Sequence, residues 1–138
     1  MAPGNCSCFK YYATLLRRED AQSNCATSAP SGWNGRLAVI PDDSTNSFAT
    51  GMLNTGTAVW IGMRAAVNPH SLSFDGSQWY WDAGSGLTCQ VEYTPPFYSY
   101  PAHLKHDCMR IDLSLFEDIS CDTWYSYLCE YYPGKVNK

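Results

Sequence analysis

Apolar and polar positions alternate along the 138-residue chain in short blocks, and the blocks change period several times. Residues 8–13 (Cys8-Phe9-Lys10-Tyr11-Tyr12-Ala13) are rich in aromatics and predict a strand. Over 17–28 the pattern turns helical. Glu19 and Asp20 fall in the first turn, where carboxylates suit the positive end of the helix dipole, and Ala21 and Cys25, four apart, share one face. Pro30, Gly32 and Gly35 break the chain. A short apolar strand over 36–40 is closed by Pro41. Asp42 or Asp43 can cap a second helix, with Phe48, Met52 and Leu53 as its expected buried stripe. After a turn at 54–57, Val59-Trp60-Ile61-Gly62-Met63 is continuously apolar, the pattern of a strand covered on both faces.

The second half is less regular. Phe74-Asp75-Gly76-Ser77-Gln78-Trp79 sets a turn between aromatic positions. Residues 82–107 show neither period and are laced with Gly, Pro and Tyr; long irregular loops within compact domains tend to carry function. Three segments follow that suit antiparallel strands, at 108–112, 115–121 and 125–132. The order is strand, two helices, then strands around a long loop, which is an α+β plan. No internal repeat or linker divides it, so the expectation is one domain over 1–138 with its core at about 8–131.

Composition narrows the class. With 45% hydrophobic and 16% charged residues the chain has the means to build a core and lacks the signature of disorder. Net charge is −4 and the nine basic residues are scattered, which leaves no footprint for nucleic acid. No apolar run is long enough to cross a bilayer. The start, Met1 to Asn5, has neither the basic nor the apolar region of a secretory leader, so secretion would imply a leader already removed.

Seven cysteines (Cys6, Cys8, Cys25, Cys89, Cys108, Cys121 and Cys129) without a C-x-x-C pair point to disulfides in an oxidising, extracellular compartment. The zinc-like cluster His103-x-x-His106-x-Cys108 lacks a fourth ligand at a familiar spacing. The sequon Asn5-Cys6-Ser7 fits a secretory route.

In this order the segments resemble the C-type lectin-like domain. Trp60-Ile61-Gly62-Met63 is similar to the family's Trp-Ile-Gly-Leu core strand, with one Met for Leu change. Glu19-Asp20-Ala21-Gln22 with Cys25 resembles its first helix, and Gly35-Arg36-Leu37-Ala38-Val39-Ile40 its next strand. Phe74-Asp75-Gly76-Ser77 with Trp79 resembles the approach to the long loop. Cys108-Met109-Arg110-Ile111, Cys121 and Tyr127-Leu128-Cys129-Glu130 resemble the C-terminal end. The resemblance implies two helices flanking antiparallel sheets, a long loop, and disulfides Cys25–Cys129 and Cys108–Cys121. Cys6, Cys8 and Cys89 are left over. Either Cys6 or Cys8 bridges elsewhere in the chain, or Cys89 links two chains into a homodimer.

Sugar-binding members of the family hold one Ca²⁺ through a loop Glu-Pro-Asn or Gln-Pro-Asp, a strand Trp-Asn-Asp and a nearby Glu; a hard cation needs six to eight oxygens, and sugar hydroxyls complete the shell. Here the loop reads Thr94-Pro95-Pro96-Phe97 and the strand motif reads Phe116-Glu117-Asp118. His106-Asp107 stands before Cys108 where a glutamate is usual, which makes Asp107 a displaced candidate. Glu117, Asp118 and Asp107 are thus the candidate Ca²⁺ ligands. The competing reading, which weighs more, has Glu117 as a solvated strand residue and Asp118 as an acceptor bracing the loop. What the loop keeps is aromatic. Tyr93, Phe97, Tyr98 and Tyr100 are the candidates for an exposed ligand-binding surface together with Glu117 and Asp118, while Trp79 is expected to pack beneath it.

His70, His103 and His106 lie near Ser71 and Cys108 in sequence, but no nucleophile motif surrounds them, and the chain reads as a non-enzyme. The expected function is extracellular recognition of a glycan or glycoprotein through the long loop, by a secreted protein or a membrane-protein ectodomain. The alternatives are a calcium-independent protein–protein module and an assembly protein linked through a spare cysteine.

Overall fold

The computed structural model describes residues 7–53, 57–65, 79–84, 87–97, 106–112 and 115–133. In chain order the elements are β1 (Cys8–Leu16), α1 (Arg18–Thr27), β2 (Trp33–Leu37), α2 (Asp43–Gly51), β3 (Ala58–Ala65), β4 (Trp79–Gly84), β5 (Leu87–Gln90), β6 (Cys108–Asp112), β7 (Leu115–Ile119) and β8 (Tyr125–Pro133). The α+β plan with two helices is as expected. The strands join in the order β1-β8-β3-β4-β5, with β2 also on β8 and the β6–β7 hairpin on β3. All pairings are antiparallel except β3 with β8, where Val59 meets Ser126 and Trp60 meets Tyr127 in parallel. A parallel pair needs a crossover connection, and the intervening β4–β7 segments supply it.

β3 is covered on both faces, which explains its unbroken apolar run. Val59, Ile61 and Met63 enter one core cluster with Ile40, Trp81 and Leu128, while Trp60 enters a second with Ala21, Leu37 and Tyr127. The Trp60 indole donates to the Leu16 carbonyl at 2.8 Å, so its one polar atom is satisfied. Gly62 sits where β3 passes β2. A Cβ there would lie 3.0 Å from the Leu37 carbonyl oxygen, and the Gly62 amide donates to the Ala38 carbonyl at 2.9 Å. Gly35 is more constrained still, since a Cβ would fall 1.9 Å from the Cys25 carbonyl oxygen where α1 packs on β2.

Helix α1 is mostly polar and is held by specific bonds rather than by a broad apolar stripe. Ala21 and Cys25 are buried as their spacing predicts. Gln22 accepts from the Leu37 amide at 2.7 Å, and Asn24 donates to the Tyr127 hydroxyl. The Cys25–Cys129 disulfide closes a 104-residue separation. Cys108–Cys121 fastens the β6–β7 hairpin at its base. Both pairings match those that the family resemblance implies. Cys8 and Cys89 lie outside these bridges, and Cys6 falls outside the described residues.

Three expectations need correction. In α2, Asp42 is the cap, accepting from the Thr45 amide at 2.8 Å. That start turns Thr45, Asn46 and Ala49 inward. Leu53 packs against the core and Phe48 only edges onto Phe9, while Met52, the first residue past the helix, is exposed. Strand β2 begins at Trp33 rather than at residue 36, because Trp33 to Leu37 pair continuously with Pro133 to Cys129 of β8. The aperiodic stretch after Asp82 opens as a hairpin, with Trp81 opposite Cys89 and Asp82 opposite Thr88. Its second strand, β5, ends the sheet path and has Thr88, Cys89 and Gln90 exposed, so no alternation marks it.

Candidate functional site

The stretch 91–97 folds back onto the sheet. Val91 and Pro95 are buried. The Phe116 amide donates to the Pro96 carbonyl at 2.8 Å, Phe97 bridges to Phe116, and the two rings meet edge-to-face at 6.2 Å. Tyr93 packs against the main core cluster and donates its hydroxyl to Asp43 at the start of α2. Burial, then the Asp43 carboxylate, push the Tyr93 phenol well above its ordinary value, so this donor stays protonated. Tyr93 and Phe97 were expected on an exposed surface. Instead both are half-buried, because the proline carbonyl and the Phe116 ring draw this part of the loop onto β7. Tyr98 and Tyr100 lie outside the described residues, as does His103. Trp79 and Trp81 are in the core, as expected for Trp79.

The candidate calcium ligands lie on or beside the β6–β7 hairpin, with Glu117 and Asp118 on opposite faces of β7 and each in a setting of its own. Glu117 faces Arg110 across the hairpin; the guanidinium Nε donates to Glu117 Oε1 at 2.8 Å and a second N–H reaches the same oxygen. The guanidinium also lies over the Tyr125 ring at 4.8 Å. Glu117 is therefore not a solvated strand residue. Asp118 is buried, and its carboxylate stands 3.6 Å from His106 Nδ1. At that distance the contact is an approach between side chains rather than a hydrogen bond, with His106 in the stretch where sugar-binding members carry an acid. Asp107 takes the Ala65 amide on its carbonyl, and one carboxylate oxygen is buried without a hydrogen bond.

A Ca²⁺ ion would have to displace Arg110 from Glu117 and bring the buried Asp118 outward, with no amide or carboxylate at 94–96 to complete its shell. The described residues do not fit the ion that the family's sugar-binding members use. Among the described residues no group of three or more His, Cys, Asp or Glu is gathered as a metal site.

Arg110 is a residue that sequence reasoning passed over, while His106 enters that reasoning only as a zinc-type or catalytic candidate and not as the neighbour of Asp118. Arg110 makes sense only through hairpin register: it opposes Glu117, seven positions on, as Met109 opposes Asp118, nine positions on, relations that spacing does not announce. A second missed residue is Arg18, fully buried, whose guanidinium binds Glu19 and Asp82, each at 3.1 Å, and so ties α1 to β4.

The sequence model of the Lectin C-type domain matches residues 7–131. The chain belongs to the C-type lectin domain family. Solved structures share the fold at low identity. The C-type lectin CEL-I from Cucumaria echinata has a TM-score of 0.72 at 17% identity, covering 93% of this chain and 91% of its own. Human lithostathine has 0.71 at 18%, covering 91% and 83%. A calcium-independent type II antifreeze protein has 0.69 at 22%, covering 94% and 93%. No curated protein sequence matches the chain. As a C-type lectin-like domain it stands in a family of mostly non-enzymatic binding modules. No described helix is long and apolar enough to cross a membrane.

Proposed function

We propose that this C-type lectin-like domain is a non-enzymatic, extracellular recognition module that binds a glycan or glycoprotein through the segment 82–107, without a calcium bridge. The observation that carries this reading is the pairing of Glu117 with Arg110: the strand carboxylate that would coordinate a cation is already neutralised by a guanidinium. The buried Asp118 beside His106 supports it in the same sense. Freedom from calcium is compatible with the fold, since structural neighbours include a calcium-independent as well as a Ca²⁺-dependent antifreeze protein. The two disulfides suit an oxidising compartment.

Glycan-array binding with and without chelator tests the proposal. Binding is expected to survive chelation and to weaken in the Tyr98→Ala/Tyr100→Ala variant with a melting temperature changed by only a few degrees. Chelator-sensitive binding refutes the calcium-free mode, and a silent array favours the protein–protein alternative. One observation also favours linkage into dimers: Cys89 is exposed on β5, the last strand of the sheet path. Non-reducing electrophoresis of wild type and Cys89→Ser decides it, because a monomer band in both removes that reading.

A further inference from the structure

Away from the Glu117–Asp118 hairpin, the 82–107 segment borders a cleft of about 160 Å³. Val39 and Pro41, which follow β2, and Trp81 of β4 give it an apolar wall, to which Tyr93 adds a half-buried ring. Gln90 and Glu92 line it as well, and both are exposed. Further negative charge stands behind Tyr93. Its hydroxyl donates to Asp43, and Asp42, the cap of α2, lies close enough to act on the same phenol. None of the residues that the family resemblance assigns to calcium lines the cleft.

We infer that this cleft binds a small alkylated ammonium cation of the choline type. The inference goes beyond the glycan reading: it gives the segment 82–107 a second kind of contact, and either can fail without the other. Charge argues first. Among the described residues no Lys or Arg lines the cleft, while Glu92 does and Asp43 and Asp42 stand behind its aromatic side, so a cation is attracted and an anion repelled. The ring argues second. A cation is drawn to the negative face of an aromatic side chain, and a phenol that gives its hydrogen bond to a carboxylate is polarised so as to strengthen that face. The lining argues third, against a bare metal ion. A hard cation needs six to eight oxygens, and the described side chains of the cleft offer one carboxylate and one amide. Val39, Pro41 and Trp81 instead suit the methyl groups that an alkylated ammonium carries around its charge. Size agrees, because a cavity of about 150 Å³ admits a ligand of benzene's bulk, and a trimethylammonium head is no larger. The wall is also preorganised: Trp81 is fixed in the core and Tyr93 is tied to α2, so a ligand orders little on binding. A phosphate ester of choline is disfavoured, since its phosphate meets the charge of Glu92.

So small a ligand has few contacting atoms, which sets a weak affinity, Kd on the order of 1 mM. The test titrates the whole chain at constant ionic strength with tetramethylammonium, choline, phosphocholine and dimethylbutanol, the uncharged carbon analogue of choline. The Trp81 indole and Gln90 side-chain resonances are followed by NMR. Tetramethylammonium and choline are expected to shift both along a single millimolar isotherm, with dimethylbutanol at least about tenfold weaker because it has the shape without the charge. Glu92→Gln, a change at an exposed position, is expected to weaken choline binding about threefold to fivefold, the effect of one solvent-screened charge. Absence of shifts at about ten times that Kd overturns the assignment. Equal binding of dimethylbutanol, or an unchanged choline affinity in Glu92→Gln, overturns it too, since the cleft is then merely apolar. Phosphocholine binding as tightly as choline overturns the choice of a free cation in favour of a lipid headgroup. The glycan array keeps the two readings apart: a positive array with no choline response removes the cleft inference alone, and a silent array with a choline response removes the glycan reading alone.

Discussion

Arg110 offers the sharpest test of why this member of the family would not need calcium. Replacing it with Met keeps an extended apolar side chain over Tyr125 while removing the charge and both donors to Glu117. The pair has a donor–acceptor distance of 2.8 Å, and its side chains are 19% and 23% exposed. Hydrogen bonds to charged groups contribute about 1.5–3 kcal/mol when well shielded, and exposed pairs about 0.2–1 kcal/mol. With one fifth of each side chain still in solvent, the expected loss is about 1–2 kcal/mol. For a chain of this length, about 4 °C per kcal/mol is a fair conversion, giving a fall of roughly 4–8 °C.

Thermal unfolding of wild type, Arg110→Met, Glu117→Gln and the double variant isolates the pair, with an expected coupling of about 1 kcal/mol. Each sample is run with millimolar Ca²⁺ and with chelator. An ion present at a hundred times its Kd would add about 2.7 kcal/mol, roughly 10 °C on the same scale, so bound calcium could not be missed. Wild type is expected to show no such difference. A coupling below about 0.3 kcal/mol, or a chelator-reversible rise in wild type, refutes the claim that Arg110 stands in for the cation.

Three further outcomes follow from the same structure. Glu130 is buried and accepts from the Val39 amide at 3.0 Å and Arg36 Nε at 3.2 Å, so Glu130→Ala should cost about 3 kcal/mol in urea unfolding; a loss under about 1 kcal/mol would show that water replaces it. Burial, opposed by the hydrogen bond with Ser28 and aided by Tyr12, pushes the Tyr131 phenol from 10.0 up to about 12. The neutral form is the one the fold favours, so its contribution, on the order of 2 kcal/mol, is complete below pH 10 and lost as pH rises toward 12, partly offset by Tyr12, which shifts down. Stability measured between pH 9 and about 12 should slope downward, and Tyr131→Phe should flatten that slope; an unchanged slope assigns the titration elsewhere. Finally, opening the 104-residue separation with Cys25→Ala/Cys129→Ala should remove about 4–5 kcal/mol on a chain-entropy model, read as a lower urea midpoint, and a midpoint within error of wild type would contradict it.

By itself the sequence determined the elements whose chemistry is local and the strand whose burial is complete. The sequence placed the cap of α2 at Asp42 or Asp43, and the structure takes Asp42, whose side chain reaches an amide three residues on. Ala21 and Cys25 face inward because helical geometry puts residues four apart on one side. Val59 to Met63 had to be a covered strand, and the motifs around it, with the cysteines, carried the fold and both disulfide pairings through family resemblance. Tertiary structure decided everything that depends on register or on what the opposite strand presents. Strand β5 was illegible because an edge strand exposed to water has no apolar alternation. Tyr93 and Phe97 were drawn inward by Asp43 and Phe116, partners distant in the chain. Glu117 changed from a solvated acid to a paired one because antiparallel register sets Arg110 directly across from it. Side-chain periodicity records which face is buried; it holds no record of which charge will stand opposite, and at this site that opposite charge is what separates a cation-binding strand from one already neutralised.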